Sequence, residues 1–149
     1  AYATRLLPGE HMADYFARFE GADALEMFGM DGEGNLALPK IEVPLEAGRL
    51  TKTPEQLGID TIVLENVPGS RVTLASTANP YEVEVEFPDF PYLGIWTKAG
   101  QDDARYLCLE PWSALPDAHF SPRELAEKPG VRVLAPGERA TLAYRMTFR

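Results

Sequence analysis

The sequence predicts an all-β fold, an antiparallel β-sandwich, and three observations carry that reading. "YEVEVEF" (Tyr81 to Phe87) alternates apolar and acidic residues without a break, the pattern of a strand with one buried and one solvated face. "TLAYRMTF" (Thr141 to Phe148) repeats the alternation, with Leu142, Tyr144, Met146 and Phe148 assigned inward. Thirteen prolines and twelve glycines cut the chain into short runs, the rhythm of a sandwich.

The remaining elements follow in chain order. "ALEMFGMDGEGNLALP" (Ala24 to Pro39) reads as a glycine-rich hairpin. Its acidic residues do not match the spacing of a twelve-residue calcium loop, so calcium is rejected there. "TPEQLG" (Thr53 to Gly58) has a helix-cap-and-stop grammar but little length. "IDTIVLENVPGSRVTLAS" reads as two strands joined by a turn at "NVPGS". "YLGIW" and "YLCLE" are apolar on both faces, which predicts central strands covered on two sides. "SPRELAEK" offers Ser121 as an N-cap and Pro122 at the first helical position, enough for one or two turns. "APGE" (Ala135 to Glu138) is a turn feeding the last strand. Nothing marks a linker, so residues 1–149 are taken as one unit.

Composition narrows the function. The 149 residues carry 14 basic and 23 acidic side chains, a net charge of −9. Phosphate backbones and anionic membranes are held by clustered Lys and Arg, and the arginines here are dispersed along the sequence. No nucleic-acid or membrane partner is expected. One cysteine, Cys108, excludes an intrachain disulfide. No apolar run approaches the roughly 20 residues that span a bilayer. A cytoplasmic setting is expected. Two histidines and one cysteine, none at ligand spacing, predict no transition-metal site.

The chemistry concentrates in "RYLCLEPWSALPDAH" (Arg105 to His119). Alternation puts Tyr106, Cys108 and Glu110 on one face and Leu107 and Leu109 on the other. Pro111 lacks an amide donor, so regular pairing is expected to end there. Glu110 then stands where an apolar strand opens onto a loop-built surface, with Trp112 beside it. It is either a working base or a strand-end glutamate paired with an arginine. Asp60 in "GIDTIVL" stands at another strand mouth, placed to accept hydroxyl hydrogen bonds from a ligand or to cap the preceding turn. Trp112 is the candidate for stacking on a sugar face, whereas Trp96 is assigned to the core. Lys98 and His119 are further candidates for the same cleft. His11 is assigned to solvent.

"DFPYLGIWTK", "YLCLEPWSALPD" and "VLAPGERATLAYRMTF", in that order and spacing, resemble the C-terminal half of the aldose 1-epimerase (galactose mutarotase-like) family. The branch most similar is that of short epimerase-like proteins of sugar-utilisation operons. The upstream "GRLTKTPEQLGIDTIVLENVPGSRVTLAS" matches more loosely. The resemblance implies the galactose mutarotase-like supersandwich, of which this chain is the C-terminal part. It implies interconversion of the α and β anomers of a free aldose without metal or cofactor. At the "LE-P" position it makes Glu110 the general base, and it gives Asp60 the sugar hydroxyls.

The family's acid histidine, by the same alignment, lies before Ala1. The isolated chain is then expected to be inactive, and either self-associated or bound to an N-terminal half. The sugar is expected to be neutral. The competing expectation is a non-catalytic carbohydrate-binding module built on the same sandwich.

Overall fold

A computed structural model of the chain describes residues 2–53, 56, 59, 61–98 and 105–149. Two antiparallel sheets face each other. The larger contains β1 (Tyr2–Arg5), β10 (Tyr106–Trp112), β9 (Tyr92–Trp96), β6 (Thr61–Glu65), β3 (Ala24–Met30) and β4 (Leu36–Pro44), in that spatial order. The smaller runs β11 (Arg145–Phe148), β8 (Glu82–Glu86), β7 (Arg71–Ser76), β2 (Tyr15–Arg18), β5 (Arg49–Leu50). Short 3-10 turns at Met12–Asp14, Pro68–Ser70 and Leu125–Glu127 are the helical elements among the described residues, and none is long enough to cross a membrane.

The inner faces interlock. Ile62, Leu64, Leu93, Ile95, Leu107 and Leu109 from the large sheet meet Val72, Leu74 and Val85 from the small one, and all are buried. Full burial of one such side chain is worth about 1.5–3 kcal/mol, so this layer fixes which face of β9 and β10 turns inward. A second, smaller cluster forms on the opposite face of the large sheet: Phe28, Leu36, Val63, Tyr92 and Leu115, with Trp112 packed against it. That second layer is why β9 and β10 read as apolar on both sides.

The predicted hairpin is present. The turn between β3 and β4 is tied by Asp31, whose Oδ1 accepts the amides of Glu33 (2.9 Å) and Asn35 (2.8 Å). The "NVPGS" turn does join two strands, but it carries the chain from one sheet to the other, since β6 and β7 lie in different sheets. Three residues of that crossing are left-handed, Asn66 at φ +53°, Gly69 at +62° and Ser70 at +45°, and glycine adopts that conformation without steric cost.

Four expectations need correction. Pairing does not stop at Pro111: β10 continues through Pro111↔Leu93 and Trp112↔Tyr92. Its described pairing with β1 runs from Tyr106 to Leu109. "SPRELAEK" makes only the 3-10 turn Leu125–Glu127, and Ser121 does not cap it. The C-terminal strand covers only Arg145–Phe148, because its partner β8 ends where Arg145 meets Glu86. Leu142 and Tyr144 therefore stay exposed, and of the residues assigned inward Phe148 is exposed too, leaving only Met146 partly buried against the core. Tyr81 likewise precedes β8 and is exposed.

Candidate functional site

Because Leu107 and Leu109 turn into the sandwich, Cys108, Glu110 and Trp112 turn to the opposite face of the large sheet. β9 lies directly alongside, with Cys108 opposite Trp96, Glu110 opposite Gly94 and Trp112 opposite Tyr92. β6 extends the surface, placing Thr61 opposite Trp96 and Val63 opposite Gly94. Glu110 is half-buried. The Trp112 indole N–H donates to Glu110 Oε2 at 3.2 Å. The ring lies over Gly94, where a Cβ would meet Trp112 Cζ2 at 2.7 Å and Cε2 at 3.0 Å.

The two ends of this face differ. Beyond Trp112 the chain crosses the sheet and covers it. Leu115 is buried among Phe28, Leu36, Val63 and Tyr92. Leu36 donates its amide to the Asp117 carbonyl and accepts the His119 amide, both at 3.0 Å. Lys128 pairs with Asp117. On the other side of Glu110 the surface holds Trp96 and Tyr106, half-buried, their ring centroids 5.7 Å apart and tilted by 48°. Arg5, exposed, stands opposite Tyr106 on the edge strand β1. Trp96 is thus not a core residue. Ile95 and Leu93 take the inward positions of β9, which leaves Trp96 on the Glu110 face.

Among the described residues no cation lies within ion-pair distance of Glu110, so the arginine-paired alternative finds no partner there. Burial pushes the Cys108 thiol up, and the Glu110 carboxylate adds to the shift. Cys108 is therefore a neutral thiol in the floor, not a thiolate nucleophile. Among the described residues no group of three or more His, Cys, Asp or Glu side chains is placed to hold a metal.

Of the residues singled out from the sequence, Glu110 and Trp112 are brought together. Lys98 is exposed, two residues past the Trp96 end of β9. Asp60 lies outside the described residues. His119 is not brought to Glu110. It sits against Leu36 at the start of β4, four strands from β10, roughly 19 Å at the usual spacing of about 4.8 Å. There its Nε2 meets Asp31 Oδ2. The Asp31 carboxyl is held far below the ordinary range, chiefly by the Asn35 side chain and amide, with His119 a smaller contributor.

Gly94 and Tyr106 were not among the candidates. The signal for Gly94 was present: a glycine inside an apolar strand marks a close approach by something bulky.

No family model matches the chain. It is 31% identical over 89 residues to the chromosomal and plasmid forms of protein LacX from Lactococcus lactis subsp. lactis. That match spans 60% of this chain and 29% of each LacX protein. Among solved structures, it superposes on a galactose mutarotase related enzyme from Lactobacillus acidophilus with a TM-score of 0.82 at 23% identity. A galactose mutarotase-like protein from Lactobacillus casei gives 0.71 at 24%. These cover 99% and 98% of this chain, but the chain spans only about half of each, 49%. The chain therefore has the galactose mutarotase-like fold that its sequence resembles, over a length equal to half of its structural neighbours.

Proposed function

We propose that this chain supplies the general base of a mutarotase-type isomerisation, with Glu110 as that base. One observation carries the reading: a half-buried carboxylate with no described cation beside it stands on an aromatic face of this fold. Glu110 takes the proton of the anomeric hydroxyl while an acid protonates the ring oxygen. The C1–O5 bond breaks, giving the open-chain aldehyde. C1 rotates, and closure on the other face returns both protons. The acid is expected from residues outside these 149, by the resemblance rather than by anything in the described structure.

Trp96 and Tyr106, beside Glu110 on the uncovered part of the face, are suited to the apolar side of a pyranose. Asp60 and Lys98 are proposed as hydroxyl ligands on the resemblance and on position in sequence. The substrate class is a neutral free aldose, handled in the cytoplasm.

The test is Glu110→Gln in the full-length protein, followed by polarimetry on freshly dissolved galactose and glucose. Loss of a positioned proton acceptor lowers the rate by about 10²–10⁴-fold, with the thermal transition unchanged. An unaltered rate removes Glu110 from the mechanism. Sugar binding without any turnover in the wild type would favour a carbohydrate-binding module.

A further inference from the structure

We infer that Trp112 is a positioning residue for the Glu110 carboxylate, and that position 94 is glycine so that the indole can reach it. The inference rests on Glu110 being the base, as proposed above.

Residues 110 and 112 are two apart on one strand, so their side chains leave the same face about 6.6–6.8 Å apart. An indole standing upright at 112 would present its N–H to solvent or to a ligand. Here the ring is laid over β9 instead. Its six-membered edge rests on Gly94, the direct cross-strand partner of Glu110, at ring-atom distances of 2.7, 3.0 and 3.1 Å from where a Cβ would stand. Real Cβ contacts do not come that close to a rigid ring, so any side chain at 94 would lift the indole. Lying flat, the ring delivers Nε1–H to Glu110 Oε2 at 3.2 Å.

The anchor is firm on one side only. Trp112 packs against the cluster of Phe28, Val63, Tyr92 and Leu115, whereas Glu110 has no other described side chain holding it. Oε1 accepts no hydrogen bond among the described residues, which leaves it as the oxygen for proton exchange. With its donor committed and one ring face against the sheet, Trp112 orients the base, and stacking on sugar falls to Trp96 and Tyr106. A hydrogen-bonded orienting group behind a base is what fixes near-attack geometry, and misplacement by about 1 Å can cost about 10²-fold.

The experiment uses the full-length protein. Trp112→Phe keeps a ring over Gly94 and removes only the donor. It should lower kcat about 10–100-fold with KM within about threefold. Gly94→Ala should reproduce that split, although Gly94 offers no side chain to substrate. Independently of activity, the Trp112 indole ¹H–¹⁵N resonance should move upfield in Glu110→Gln. A resonance that does not move, or a Trp112→Phe enzyme with wild-type kcat, overturns the positioning role. If Glu110→Gln keeps full activity while the resonance shifts, the contact is real, Glu110 is not the base, and the positioning role falls with it.

Discussion

Arg18 grips Glu82 with two parallel bonds, Nη1–Oε1 at 3.0 Å and Nη2–Oε2 at 3.1 Å, reaching from β2 to β8 above β7. The same face adds Arg71–Glu86 at 2.9 Å and Arg149–Glu84 at 3.1 Å. The acidic side of "EVEVE" is thus a ladder of cross-strand ion pairs. The Arg18–Glu82 side chains are 30% and 27% exposed, intermediate between a screened surface pair and a buried one. Arg18→Met should therefore cost about 1 kcal/mol, measured by urea denaturation. A double-mutant cycle with Glu82→Gln should return coupling of the same size, and additive single effects would refute it.

A second carboxylate is bound more completely. Glu10, 7% exposed, accepts the Tyr15 hydroxyl, the Asn79 amide, the Leu7 backbone N–H and, at 3.5 Å, the Ser76 hydroxyl. The bonds from Tyr15 and Asn79 lead in holding its pKa below the ordinary 4.5. A carboxyl depressed by folding stabilises the native state above its unfolded pKa. That stability is lost as pH falls through the lower folded value. Glu10→Gln should lower the melting temperature at pH 7 and flatten its fall below about pH 4.5. Identical melting curves from pH 3 to pH 7 would show that these bonds do not favour the ion.

How much of this was legible follows from what periodicity encodes. Alternation identified β8 and β10 and put Glu110 on the face opposite Leu107 and Leu109, because a strand's side chains change sides at every residue. It misplaced Trp96, because a sheet covered on both faces gives two apolar rows, and nothing local says which is the sandwich core. The arginine ladder was hidden because Arg18 and Glu82 are 64 residues apart. His119 is nine residues from Glu110 in sequence, yet the chain between them crosses the sheet instead of folding back. The last strand was overextended because its length is set by where β8 ends, a property of another segment.

His119 supplies a direct check on that placement. Its Nε2 contacts Asp31 in the β3–β4 turn, and its backbone N–H is tied to Leu36. His119→Ala in the full-length protein should leave the anomerisation rate within about threefold, against the about 10²–10⁴-fold expected for a lost proton-transfer group. Its effect on stability should be small, as for other exposed pairs. A hundredfold loss of activity with an unchanged melting temperature would put His119 in the chemistry.

The edge strand β4 bears on how the chain behaves alone. It ends the large sheet, and it exposes Leu38 at 56% and Ile41 at 48%. Edge strands are commonly guarded by a lysine that keeps a second strand from adding. Lys40, between those two residues, does not serve that way. Its ammonium is drawn to Glu65 and stands 4.9 Å from the centre of the Phe28 ring, over the face of the sheet. Pro39, Glu42 and Pro44, all exposed on this strand, blunt it against strand pairing, but Leu38 and Ile41 remain an exposed apolar pair, a surface that favours association. The isolated 149-residue chain should therefore self-associate, or stay bound to a complementary segment of a longer protein, and should lack anomerisation activity. Size-exclusion chromatography with light scattering should show a species heavier than 16.5 kDa. Leu38→Lys with Ile41→Lys should shift a self-associated form toward the monomer. A wild-type chain that runs as a monomer and turns over galactose would refute both the apolar contact and the assignment of the acid to residues outside the chain.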